Sequence, residues 1–318
     1  MSLTRRDFVR TLFVASQTAL AGRLMSGPLR ADDASPGALT FAVIGDWGRR
    51  GRPDQVQVAR QMAIACKNAA ANFVISVGDN FYEDGVASLE DPHWQQTFER
   101  VYAAPSLQVP WYVILGNHDY RGNCQAQLDY GKTHPRWTMP ARYYTQLYPI
   151  DATHNLECFF IDTSPLISEY KNEADMKAIH TQDVDAQLKW LDQSLAASKA
   201  QWKLVFGHHP IYSAGTVHGN QPDMIRRVLP ILQNYNIQGY FSGHDHDLQH
   251  LKDDDLNYFI SGGGSENRPV KPVPKIQFGL ATSGFLLVSL APNNMHVRYI
   301  DNLGNTIYTT TATPYKQA

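Results

Sequence analysis

A chain of 318 residues can bury a full core, and 43% hydrophobic with 18% charged residues is an ordinary balance for a globular protein. A formal charge of −2 without runs of Lys or Arg argues against a nucleic-acid or acidic-membrane partner. Cys66, Cys124 and Cys158 form neither a CxxC pair nor an even framework, which excludes a disulfide scaffold and leaves one bridge at most.

The N-terminus reads as a targeting peptide. "TRRDFVR" (4–10) precedes the weakly apolar "TLFVASQTALAG" (11–22), well short of the ~20 residues that span a bilayer. Arg5-Arg6 with Phe8 resembles the twin-arginine signal that exports proteins already folded. Residues 1–31 are therefore expected to direct export to the periplasm or beyond, with "ALA" (19–21) and "LRA" (29–31) both fitting as cleavage sites. Residues 32–318 are expected to form one domain.

After the polar linker "DDASPG" (32–37), apolar runs alternate with helical patterns. "LTFAVIG" (39–45), "NFVISVG" (72–78), "WYVILG" (111–116), "CFFID" (158–162), "WKLVFG" (202–207) and "IQGYFSG" (237–243) read as buried strands. "DQVQVARQMAIACKNAA" (54–70) and "DVDAQLKWLDQSLAA" (183–197) carry apolar residues at helical spacing. "NYFISGGG" (257–264), "GFLLVSLAP" (284–292) and "MHVRYID" (295–301) read as further strands. The pattern predicts β-sheets of mixed strand direction with helices outside.

Five of these runs end in Gly followed at once by a residue able to bind metal: Gly45-Asp46, Gly78-Asp79, Gly116-Asn117, Gly207-His208 and Gly243-His244. In open α/β sheets the ligand site lies beyond the carboxyl ends of the strands, so five such ends converge on one crevice. The tips and their neighbours offer Asp46, Asp79, Tyr82, Asn117, His118, Asp119, His208, His209, His244 and His246. Carboxylate, amide and imidazole without thiolate suit iron, manganese or zinc, and there are too many donors for one ion. A lone "GNHD" or "GHDH" is more often a polar turn; five in series are not.

The series "GDWG", "GDNFY", "GNHD", "GHH" and "GHDH" resembles the calcineurin-like metallophosphoesterases and, within them, the small purple acid phosphatases. The wider superfamily carries a histidine two residues after its first aspartate. Here that position is Gly48, and Tyr82 in Gly-Asp-x-x-Tyr is the replacement. The resemblance implies an α/β fold of mixed sheets packed as a sandwich flanked by helices. It also implies two metals, the first on Asp46, Asp79, Tyr82 and His246, the second on Asp79, Asn117, His208 and His244, with Asp79 shared. Fe3+ is expected at the first site, because a phenol of pKa about 10 ionises at acid or neutral pH only on a strong Lewis acid. A divalent ion (Fe2+, Zn2+ or Mn2+) is expected at the second.

The implied activity is acid phosphatase: hydrolysis of phosphomonoesters by a metal-bound hydroxide, with His118 as proton donor and Asp119 behind it as an orienting carboxylate. His218 in "TVHGN" resembles a phosphate-contacting histidine of the small members. His209 is expected to pack, Asn80 to brace its loop, and the other histidines to be surface or hydrogen-bonded residues. The expected partners are small phosphomonoesters; no nucleic acid, no stable membrane span and a monomeric state are expected. A metallophosphodiesterase or nuclease would use the same metals but lacks support from any basic, aromatic groove. A non-hydrolytic exported iron-binding or redox protein would need neither His118 nor a second site. "SPLISEYKNEADMKAIH" (164–180) is a segment that could cover the site.

Overall fold

The computed structural model describes residues 38–315, so the expected export signal lies outside the described residues. The first apolar runs become strands β1 (Leu39–Ile44), β2 (Phe73–Ser76) and β3 (Trp111–Val113), which with the two-residue β4 (Trp137–Thr138) lie parallel in one sheet. The chain then builds a second sheet from β5 (Tyr144–Pro149), β6 (Asn155–Phe160), β7 (Trp202–Phe206), β8 (Gly239–Ser242), β9 (Leu248–Asp253), β10 (Leu256–Ser261) and β11 (Ile276–Leu280). In it β6, β7, β8 and β10 run parallel. Finally β12 (Gly284–Ala291), β13 (Asn294–Asp301) and β14 (Thr306–Ala312) return to the first sheet as an antiparallel series, with β12 paired to β1. The orders are β14-β13-β12-β1-β2-β3-β4 and β11-β9-β10-β8-β7-β6-β5.

The central strands are buried on both faces because each sheet is covered on both. Phe41 and Val43 of β1 enter the layer between the sheets, with Phe160 and Phe206 from the other side, while Ala42 and Ile44 face the outer layer. There α1 (Pro53–Asn68) buries Val58, Met62 and Ala65. The expected helix near 183–197 is Val184–Ala197, whose first turn is capped when Asp183 accepts from the Ala186 amide. The sequence pattern does not anticipate β4, β5, β9, β11 and β14. Four of these are sheet edges, half exposed and short of the continuous apolar run that marks a central strand, and β9 starts two residues after His246. Cys66, Cys124 and Cys158 are buried and free. Among the described residues no helix is long and apolar enough to cross a membrane.

The parallel strands of both sheets end at one rim. The Gly45 amide donates to the Ser261 carbonyl at 2.7 Å, joining the tips of β1 and β10, and His208 after β7 reaches the Val77 carbonyl after β2 at 2.9 Å.

Candidate metal centre

At this rim the chain turns sharply, and the turning residues carry the donors. Asp46, Asp79 and His244 have φ of 59°, 51° and 69°, the left-handed region that costs a non-glycine residue roughly 1–2 kcal/mol. Gly78 precedes Asp79 at φ 94°, and a Cβ there would lie 2.7 Å from His208 Nδ1. A Cβ on Gly48 would lie 1.8 Å from the Asn80 carbonyl oxygen, so the loop that delivers Tyr82 leaves no side-chain room at position 48. That loop is fixed in turn by the Tyr82 amide donating to the Gly48 carbonyl at 2.8 Å.

Asp46, Asp79 and His246 bring ligating atoms within 4.8 Å of one another, as do His208, His209 and His244. The Tyr82 hydroxyl stands 2.9 Å from Asp46 Oδ1, 2.7 Å from Asp79 Oδ2 and 3.0 Å from His246 Nε2. Burial, then the charges of Asp46 and Asp79, push its phenol well above the ordinary value. Burial pushes the Asp79 carboxyl up too, but His208, His118 and the Tyr82 hydrogen bond outweigh it and hold it below the usual carboxylate range. Burial and the surrounding histidines keep His244 neutral.

The imidazoles are oriented from behind. His208 Nδ1–H donates to the Val77 carbonyl at 2.9 Å, which turns Nε2 toward Asn117 Oδ1 at 3.1 Å and Asp79 Oδ1 at 3.5 Å. An imidazole nitrogen, an amide oxygen and a carboxylate oxygen gathered this closely are donors that one cation could take together. His246 Nδ1–H donates to Glu266 at 3.0 Å and turns Nε2 toward Tyr82 and Asp46 in the same way. The donor set therefore fits a pair of ions. His209 differs: its Nδ1 meets Thr163 Oγ1 at 2.8 Å and its Nε2 the Tyr170 hydroxyl at 3.0 Å, so both nitrogens are occupied.

His118 is half-buried at the edge of the group, its amide donating to Asp79 Oδ1 at 2.9 Å and its ring 4.3 Å from that of Tyr82. Its Nδ1 meets the Glu83 carbonyl at 2.5 Å. The Asp119 carboxylate turns away, accepting from the amides of Gly116 and Asn80 and from Gln127 Nε2, with the nearest at 2.8 Å. It ties the β2 and β3 tips together, and burial with the Asp79 charge raises its carboxyl to about 7. Asn80 braces the same loop through Ser76, Ile114 and Gln127. His218 stacks on His244 with ring centroids 4.0 Å apart, held by its amide to Asp245 at 3.3 Å.

A cleft of 510 Å³ opens over Asp79, Asn117, His118, His218, His244 and His246. Glu169, Tyr170 and Glu173 of the 164–180 segment line its rim with Arg121 and Arg268. Sequence reasoning missed Glu266 and Arg268. Both follow Gly262-Gly263-Gly264 at the end of β10, a sixth glycine-marked strand tip whose polar residues come later in the loop.

Residues 39–248 match the calcineurin-like phosphoesterase family. Purple acid phosphatase 17 of Arabidopsis thaliana is 38% identical over 291 residues, covering 86% of this chain and 84% of that protein. Tartrate-resistant acid phosphatase type 5 of Homo sapiens is 36% identical over 306 residues, covering 89% and 93%. Among solved structures, GAP50, described as the anchor in the inner membrane complex of Plasmodium, superposes with a TM-score of 0.77 at 29% identity, over 88% of this chain and 90% of that one. The purple acid phosphatase PPD1 of Lupinus luteus gives a TM-score of 0.66 at 14% identity over 90% of this chain and 55% of that one, a likeness of fold.

Proposed function

This chain belongs to the calcineurin-like phosphoesterase family and, within it, to the purple acid phosphatases, and from that premise we propose how its residues divide the work of a dinuclear metal-dependent phosphomonoester hydrolase. Asp46, Asp79, Tyr82 and His246 would hold Fe3+; Asp79, Asn117, His208 and His244 would hold a divalent ion, Fe2+, Zn2+ or Mn2+. The observation that carries the assignment is Tyr82, whose hydroxyl lies within 2.9 Å of Asp46, 2.7 Å of Asp79 and 3.0 Å of His246. A phenol buried among these groups would release its proton to solvent most readily if its oxygen were bound to a strong Lewis acid. When bound, the two ions take up the charge of the phosphate and make an attacking water acidic enough to serve as nucleophile.

The protein's own residues do the rest. His118, with Nδ1–H engaged by the Glu83 carbonyl, gives its Nε2 proton to the leaving oxygen and remains a neutral imidazole in a tautomer that the carbonyl favours. His218 contacts the phosphate from the face of His244. Asp119 acts as a positioning residue, since its carboxylate joins the loops that carry Asp79 and Asn117. His209 holds the Tyr170 hydroxyl and leaves metal binding to its neighbours.

The substrates are small phosphomonoesters handled by a monomer, with no nucleic-acid partner. Residues 1–31 direct export by the bacterial twin-arginine route to the periplasm or the medium, and residues 32–318 are one catalytic domain. Support for export comes from Arg5-Arg6 and Phe8 ahead of a short apolar stretch; Lys at both arginine positions should retain the protein in the cytoplasm. The test of the chemistry is removal of metal by a chelator, with the metal content measured. Phenyl phosphate hydrolysis should disappear with the ions and return with iron plus a divalent metal. Full activity in the stripped protein would refute the proposal.

A further inference from the structure

Arg268 stands where the loop after β10 meets the site. Its amide donates to the His246 carbonyl at 2.6 Å, so the loop is fastened to a proposed ligand. Nη1 donates to His218 Nε2 at 3.3 Å. Nη2 lies 3.7 Å from Glu266, beyond a hydrogen bond, and Glu266 already accepts from Arg49 at 2.6 Å and from His246 at 3.0 Å. Arg121, the other guanidinium lining the cleft, differs in that it sits between two carboxylates, Glu173 at 3.6 Å and Asp175 at 3.5 Å. Arg268 thus faces the cleft with charge that its one shared carboxylate does not neutralise.

The reach of Arg268 is to the side of the floor. Its side chain hydrogen-bonds His218, whose ring covers that of His244. A cleft of 510 Å³ has room for far more than the phosphate being cleaved. A planar guanidinium offers five donors in a fork that matches phosphate oxygens in pairs, and Arg268 spends one on His218. Glu169 and Glu173 make the 164–180 side of the rim unfavourable to a second anion.

Building on the phosphatase reading above, we propose that Arg268 is a specificity-determining residue that receives a second phosphate carried by the substrate, favouring bisphosphates over monoesters of uncharged alcohols. The test compares propyl phosphate with propane-1,3-diyl bisphosphate in wild type, Arg268→Gln and Arg268→Lys, each with both metals assayed. One charge-assisted contact is worth roughly tenfold to a hundredfold, so Arg268→Gln should lose at least about tenfold more kcat/KM on the bisphosphate than on propyl phosphate. The loss should fall mainly on KM, because the contact is the same in ground and transition states. Arg268→Lys, which keeps charge but not the fork, should fall between. Equal losses on both substrates would put Arg268 on the reacting phosphate and overturn the proposal, as would no loss on either. A metal-loaded wild type inert on both substrates would instead sink the phosphatase reading, and this proposal with it.

Discussion

The floor of the cleft and its rim are built by different rules. Floor residues sit on strand tips, are buried, and are bound across the two sheets by backbone contacts such as that from Gly45 to Ser261. Rim residues sit on loops: 164–180 is a series of short 3-10 turns pinned by Leu166, Ile167, Met176 and Ile179 in the outer core while Glu169 and Glu173 face the cleft. The difference teaches that sheet topology positions the chemistry and that loops are left to decide what enters.

The sharpest way to break this contrast is at its centre. Asp79→Asn removes the carboxylate shared by both proposed ions, and kcat should fall by about a thousandfold or more, with metal content dropping below two per chain. A variant that keeps two ions and most of its activity would show that the floor does not work as one unit. His118→Ala, at the edge of the floor, should cost about a hundredfold on alkyl phosphates and much less on aryl phosphates with good leaving groups. An equal loss on both would make His118 a positioning residue instead.

Elsewhere a buried histidine behaves in an ordinary way. His250 lies between Asn257 at 3.1 Å and the Tyr308 hydroxyl at 3.0 Å, and burial, with Lys252 nearby, pushes it down to about 4. The unfolded chain binds that proton more readily, so the stability tied to a neutral His250 is full above pH ~6.5 and is lost as pH falls toward about 4. Urea unfolding at pH 7 and 4.5 should show a loss about 2 kcal/mol larger in wild type than in His250→Gln. Equal pH dependence in the two proteins would contradict it. On the rim, Glu173→Gln frees Arg121 from one exposed ion pair and should move KM for phenyl phosphate by less than about threefold, within the ~1 kcal/mol such pairs are worth. A tenfold loss in kcat there would erase the distinction between rim and floor.

The same distinction explains what the sequence discloses. Gly followed by Asp, Asn or His at five apolar run ends marks the floor because a buried parallel strand and its sharp turn each demand particular residues. Asp119 was not legible as a tie between loops, since its direction depends on Gln127 from a later helix. Glu266 and Arg268 were hidden because they lie beyond their strand tip in a loop whose course follows from contacts with Arg49, His218 and His246. Edge strands such as β5 and β14 were hidden for a related reason: their pairing partners, not their own apolar content, make them strands.

The central claim is that Tyr82 is a metal ligand, placed there because the loop has no room for a side chain at position 48. The most direct measurement is the visible spectrum of wild type and Tyr82→Phe at matched iron content. A phenolate on ferric iron transfers charge to the metal on absorbing visible light, so wild type should be pink to violet and the variant should lose that band while remaining folded with its iron. A wild type with no such band, or a band unchanged by Phe, would remove Tyr82 from the metal site and contradict the account.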